Sequence, residues 1–193
     1  MLKIEEGKPW VMWPNNLVDN FIDFPSNKVF DQEKDFNFTI KFRLREPITK
    51  KSTLFSKLPS YTGIDIEPYG LLLILSQKDR DTEYIFMDYT WSVGVEYSLI
   101  INKSNNRLEV SVNGQSLLKY ELLSPIKGDD QSHIIFGAGN FPKNGFNLNY
   151  FGYDLIELEI CIENEVISKH IFNEFIHNKS IDMTGNCNFI YKI

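Results

Sequence analysis

The chain has 193 residues, 42% of them hydrophobic, enough to bury one sizeable core without help from metals or disulfides. Its formal net charge is −6, with acidic and basic residues interspersed, so no basic stripe can track a phosphate backbone and nucleic acid is excluded as a partner. The longest apolar run, Leu71–Leu75, is far too short to cross a bilayer, which argues against membrane insertion.

Alanine is nearly absent, Ala138 being the only one, while Phe, Tyr, Ile and Asn abound, a mix that disfavours helices and suits pleated sheets and turns. The opening Met1–Glu6 is polar and acidic where a secretory leader would be basic and then apolar. The expectation is therefore a cytoplasmic or virion-associated chain, or a piece excised from a longer protein. Cys161 and Cys187 are expected as reduced, partly buried thiols rather than as a bridge.

In chain order, Asn20–Phe24 reads as a first strand. Phe36–Leu44 follows with every second residue apolar, the period of a strand with one buried and one wet face. Thr53–Ser56, Gly70–Leu75 and Glu83–Met87 are further strands. Leu99–Ile101, the polar turn Asn102–Asn106, Leu108–Val112, the Asn113–Gly114 type I′ signal and Gln115–Tyr120 make a meander of three strands. His133–Phe136 and Tyr153–Cys161 complete the set. Clusters at Pro25–Asn27, Pro59–Gly63, Lys127–Asp130 and Pro142–Gly145 read as turns between them, and Gly137–Gly139 as another. One helix is predicted from Ser168 to His177, capped by Ser168, with Ile171, Phe172, Phe175 and Ile176 as its apolar stripe. The tail ends in the alternating Phe189–Ile193, either a closing edge strand or the start of a linker. No internal repeat marks a second domain, so residues 1–193 are read as one domain with its core over about 17–178.

Many short strands separated by turn chemistry predict an all-β, two-sheet antiparallel β-sandwich with one short C-terminal helix. The order of the segments sharpens this. Asn20–Pro25, Phe36–Phe42 and Leu54–Lys57, then Leu108–Gly114, Ile134–Gly139 and Phe151–Ile160, resemble in sequence order the concanavalin A-like lectin/glucanase superfamily, laminin-G type. The resemblance spans Leu17 to Asn178 and implies a jelly roll that serves as a binding module. Glu96-Tyr97-Ser98 departs from the Trp that many members carry at the corresponding place.

The same resemblance raises an enzymatic reading. Retaining glucanases of that superfamily carry Glu-x-Asp-x-Glu on one strand, and Gly63-Ile64-Asp65-Ile66-Glu67 has the pattern with its nucleophile position replaced by glycine. No glycosidase activity is expected. His133, His170 and His177 have no metal-ligand spacing, and Asp79–Glu83 lacks the glycine and spacing of a calcium loop, so no metal or cofactor is expected and calcium has no clear motif. Gly137–Gly139 is followed by Asn140-Phe141-Pro142 with no helix to face a phosphate.

Saccharide sites combine flat aromatic faces with nearby carboxylates or amides. Tyr84, Asp88, Tyr89 and Trp91, with Asp65, Glu67 and Tyr69, can supply both kinds of group if their strands share a sheet. The competing reading is that a chain so rich in aromatics places many of them, such as Phe86 and Trp91, in its core. The sequence thus points to a lectin-like module for a saccharide or polysaccharide. The alternative is a structural or protein-interaction domain of a virion, fibre or larger surface protein, with other protein domains as partners.

Overall fold

The computed structural model describes residues 2–4, 10–13, 21–23, 31–58, 62–127, 133–136, 138–139, 147–148, 152–172 and 188–190. In chain order the strands are β1 (Leu2–Ile4), β2 (Trp10–Trp13), β3 (Phe21–Asp23), β4 (Phe36–Leu44), β5 (Ser52–Leu58), β6 (Thr62–Glu67), β7 (Gly70–Leu75) and β8 (Glu83–Asp88). They continue with β9 (Glu96–Ser104), β10 (Arg107–Val112), β11 (Gln115–Glu121), β12 (His133–Phe136), β13 (Ala138–Gly139), β14 (Asn147–Leu148), β15 (Tyr153–Ile162), β16 (Glu165–Ile171) and β17 (Asn188–Ile190). No helix occurs among the described residues.

The strands form two large sheets. One runs β1-β15-β4-β9-β10-β11, with β16 sharing the β1 edge of β15, and the other runs β17-β3-β2-β12-β5-β6-β7-β8. Among the described residues every strand pairing is antiparallel except β2 with β3. The chain passes repeatedly from one sheet to the other, for example between β4 and β5, between β8 and β9 and between β11 and β12, so segments far apart in sequence become neighbours. β17 pairs with β3 at the rim of the second sheet.

The period-two pattern of β4 becomes its burial pattern. Phe36, Phe38, Ile40, Phe42 and Leu44 are buried, and the residues between them are half-exposed. With Leu99, Ile101, Val110, Leu155, Leu158 and Ile160 they meet Leu54, Ile64, Ile66, Leu71 and Leu73 of the second sheet in one hydrophobic cluster. Each such side chain contributes about 1.5–3 kcal/mol on burial. The layers also touch through specific groups: the Phe38 and Phe55 rings lie 4.5 Å apart, and the Tyr153 hydroxyl donates to the Leu54 carbonyl at 2.7 Å inside the core. The outside of the first sheet carries ion pairs, Lys41–Glu157 at 2.8 Å, Arg43–Glu96 at 3.5 Å and Lys169–Glu157 at 3.8 Å.

The meander β9–β11 forms as expected. Asn113 and Gly114 both take positive φ, 49° and 79°, as a two-residue type I′ turn requires. The predicted helix is corrected. Ser168–Ile171 belongs to β16, which a second positive-φ turn at Glu163 and Asn164 folds back onto β15. His170 therefore lies on a strand, fully buried, its ring stacked 5.8 Å from that of Phe172. Phe175, Ile176 and His177 lie outside the described residues, as do Pro25–Asn27, Gly128–Asp130, Pro142–Gly145 and Cys187. Thr62 and Gly63, expected in a turn, open β6, and Ala138–Gly139 pairs with Asn147–Leu148. Cys161 carries a free thiol on β15, and burial first, then the Glu159 carboxylate, pushes its ionisation up.

Candidate functional site

Strands β6, β7 and β8 are successive antiparallel neighbours, so their alternate residues form rows across the sheet. Ile64, Ile66, Leu71, Leu73, Leu75 and Met87 point into the core. The intervening residues make three rows on the side of the sheet facing away from the core, Gly63–Ile74–Tyr84, Asp65–Leu72–Phe86 and Glu67–Gly70–Asp88, of which Gly63, Asp65, Gly70 and Ile74 are buried. Tyr84 and Phe86 are 59% and 47% exposed, and Tyr69, in the turn between β6 and β7, is 82% exposed. Phe86, read from the sequence as core filling, thus faces solvent. Its parity was hidden because Tyr84-Ile85-Phe86-Met87 is apolar throughout, and only the register with β7 assigns the faces.

Gly70 is what lets this surface lie flat. A Cβ there would stand 2.2 Å from the Met87 carbonyl oxygen and 2.8 Å from Phe86 Cζ, so the tip of the Phe86 ring occupies the space a side chain would fill. The ring therefore reaches over Gly70, between Glu67 on one neighbouring strand and Asp88 on the other. Neither carboxylate is in an ion pair among the described residues.

Asp65 is differently placed. Its side chain is buried, 4% exposed, and its carboxylate accepts a 2.7 Å hydrogen bond from Thr53 Oγ1 while lying 3.5 Å from Lys51 Nζ. Gly63 sits against β5, where a Cβ would meet the Phe55 carbonyl oxygen at 2.5 Å. The glucanase-like pattern is therefore closed at both of its first positions, one having no room for a side chain and the other holding a carboxylate already engaged.

Tyr89 and Trp91 belong to the end of the sandwich rather than to the outer face. The Trp91 ring lies 4.7 Å from that of Tyr89, 4.8 Å from Tyr97 and 6.0 Å from Phe42, and its Nε1 donates to the Gly70 carbonyl at 3.1 Å. Burial, then the neighbouring Tyr97, raises the ionisation of the Tyr89 phenol. Of the seven residues singled out from sequence, Glu67, Tyr69, Tyr84 and Asp88 come together on or beside one surface. Asp65, Tyr89 and Trp91 support it from the flank or from beneath. Phe86 and Leu72, which lie in the same rows, were not among the residues singled out from sequence for this surface.

A hollow of about 610 Å³ lies at the β7–β8 turn and is lined by Asp79, Arg80, Asp81, Glu83 and Lys127. Its acids alternate with cations, and no group of three His, Cys, Asp or Glu side chains is placed to hold a metal among the described residues.

No family model matches the chain, and no curated protein matches it. Solved structures do. The binding domain of botulinum neurotoxin serotype D/C VPI 5993 matches with a TM-score of 0.51 at 14% identity over 67% of this chain and 33% of that one. A botulinum neurotoxin type C structure matches with a TM-score of 0.51 at 12% identity over 67% and 32%. The heptameric SAP-like pentraxin of Limulus polyphemus matches with a TM-score of 0.49 at 17% identity over 79% and 75%. The chain spans about a third of the length of the toxin structures. The likeness to the toxin domains is one of fold, and with the two packed sheets it places this chain among the all-β jelly-roll sandwiches.

Proposed function

We propose that this chain is a non-catalytic, lectin-like binding module of laminin-G type that recognises a saccharide or polysaccharide on the outer face of β6–β8. The observation that carries the reading is the Phe86 ring laid over Gly70, exposed beside Tyr84 and flanked by Glu67 and Asp88. A flat apolar ring stacks on the apolar side of a sugar, and the carboxylates accept from its hydroxyls. Tyr69 stands at the rim of this surface, and Asp65, Tyr89 and Trp91 hold its strands in place. The type C toxin of similar fold depends on interaction with two ganglioside molecules to enter cells, which agrees with such a role for the fold without assigning it here.

Glycan-array screening followed by titration tests this. Saturable binding of at least one oligosaccharide, lost in Phe86→Ala with the folded state intact, is the expected result. Absence of any saturable glycan would overturn the reading. The engaged carboxylate of Asp65 and the closed position at Gly63 argue against a hydrolase, which would release sugar from a polysaccharide panel and lose that activity in Glu67→Gln.

A second reading, a structural or protein-interaction domain within a virion, fibre or larger surface protein, is favoured by one observation. β8 is the terminal strand of its sheet and carries the exposed Tyr84 and Phe86. It predicts a stable oligomer or protein complex with no response to sugars.

A further inference from the structure

We infer that the free edge of β8 pairs with β8 of a second copy of this chain, antiparallel and centred on Phe86, joining the two sheets across a two-fold dimer. This gives the second reading above its partner. It leaves the saccharide reading untouched, because sheet continuation uses the edge of the strand and not its outer face.

A bare strand edge invites pairing with another chain, and proteins blunt such edges by shortness, bulges or lysines. Among the described residues every edge strand but β8 is blunted in one of these ways. β1 and β17 have three residues each, and β13 and β14 have two. β11 carries Lys119 and a bulge, since Val110 pairs with Leu118 and Ser111 with Ser116, leaving Leu117 with no opposite number. β16 carries Lys169 and the same device, Ile160 pairing with Ser168 and Cys161 with Val166, so that Ile167 is the extra residue. β8 keeps register with β7 over six pairs, from Gly70 with Asp88 to Leu75 with Glu83, and contains no lysine, arginine or proline. Its acids stand at the two ends, with Tyr84-Ile85-Phe86-Met87 between them.

The backbone fixes the partner and the register. The Tyr89 amide donates to the Tyr69 carbonyl at 3.0 Å, so Glu83, Ile85, Met87 and Tyr89 turn their backbone groups toward β7. Tyr84, Phe86 and Asp88 turn theirs outward, and all three residues are exposed. In an antiparallel self-pairing, outward residues must oppose outward residues. The register centred on Phe86 matches all three, Tyr84 with Asp88 and Phe86 with its twin, for about six backbone hydrogen bonds. It also keeps like charges apart, because Asp88 faces a tyrosine and Glu83 faces Tyr89. Centring on Asp88 would set two carboxylates against each other.

Sedimentation velocity of the full chain over a concentration series, without glycan, tests this. A dimer with a dissociation constant in the micromolar range is expected for an interface built on one strand. Phe86→Pro removes an outward amide and keeps the bonds to β7, and Phe86→Lys imitates β11 and β16; each should weaken the dimer by about tenfold or more. In a Cys161→Ser, Cys187→Ser background, oxidation should link Phe86→Cys chains covalently, because their Cα atoms lie about 5.5 Å apart across the pair. Tyr84→Cys should not link to its twin, roughly 14 Å away along the strands. A chain that stays monomeric, a dimer that neither Phe86 variant weakens, or equal linking at Tyr84 would overturn the inference. A monomer that binds a glycan would leave the saccharide reading standing, and a dimer that binds none would sink that reading alone.

Discussion

The Trp91 indole nitrogen donates to the backbone carbonyl of Gly70 at 3.1 Å, fastening the segment after β8 to the strand at the centre of the outer aromatic rows. Trp91→Phe keeps much of the ring packing against Tyr97 and Tyr89 and loses the hydrogen bond, at a cost of about 1 kcal/mol. Trp91→Ala removes both and costs about 2–3 kcal/mol for a half-buried ring. Thermal unfolding should rank wild type above Phe above Ala, with a loss of about 2–4 °C per kcal/mol. An Ala variant with the wild-type midpoint would show that the ring does not support the sandwich end.

Gly70→Ala places a methyl group against the Met87 carbonyl and the Phe86 ring, at 2.2 and 2.8 Å before relaxation. Overpacking of this kind costs about 1–3 kcal/mol. The variant should lose stability and also weaken ligand binding, because the Phe86 ring must move. In a Phe86→Ala background part of the stability penalty should vanish, since one of the two clashing groups is gone. A full penalty in both backgrounds would place all of the strain on the Met87 carbonyl.

Gly63→Glu would restore the Glu-x-Asp-x-Glu pattern on paper. In the fold the new side chain meets the Phe55 carbonyl and the Ser56 Cα, at 2.5 and 2.9 Å from its Cβ alone. The variant should be severely destabilised, by about 3 kcal/mol or more, and should release no sugar. Asp65→Ala should cost about 1–3 kcal/mol by stripping Thr53 and Lys51 of their shared partner. A stable Gly63→Glu variant with hydrolytic activity would contradict the packing between β5 and β6.

Alkaline pH should loosen the sandwich. Tyr120 donates to Glu83 at 2.6 Å, and this bond, then burial and the Glu83 charge, raises its ionisation above the ordinary phenol value. Tyr89 is raised by burial first and by Tyr97 second. A folded-state value above the unfolded one favours the neutral phenol in the folded chain. The stability it gives is complete below the unfolded value of about 10 and is lost as pH rises through the higher folded value. Phenolate absorbance should thus complete later in the folded than in the denatured protein, and Tyr120→Phe should flatten the alkaline fall in stability. Coincident titration curves would refute this.

Much of the fold is legible where one face is wet. Phe36–Leu44 appears with its bounds intact because its alternation leaves a single parity, and Asn113–Gly114 announces its turn because few residues tolerate two successive positive φ angles. Ser168–Ile171 misleads because Glu163–Asn164 is a weaker turn signal than Asn-Gly. Pairing with β15 then overrides a short stripe that also fits helical spacing. At the candidate site, the carboxylates and tyrosines were legible as residue types on neighbouring strands. Their division into an open group and an engaged group was not, since it follows from the β5–β6–β7–β8 register and from two glycine contacts distant in sequence.

The hydroxyl of Tyr153 reaches through the hydrophobic interior to the carbonyl of Leu54, inside the segment where β5 departs from regular register with β6. Sliding one layer over the other would strand that phenol and that carbonyl in an oily medium with nothing to replace either. The relative position of the layers is thereby locked, and a partner docking on the outside meets a surface already set in its final shape, with little ordering left to do.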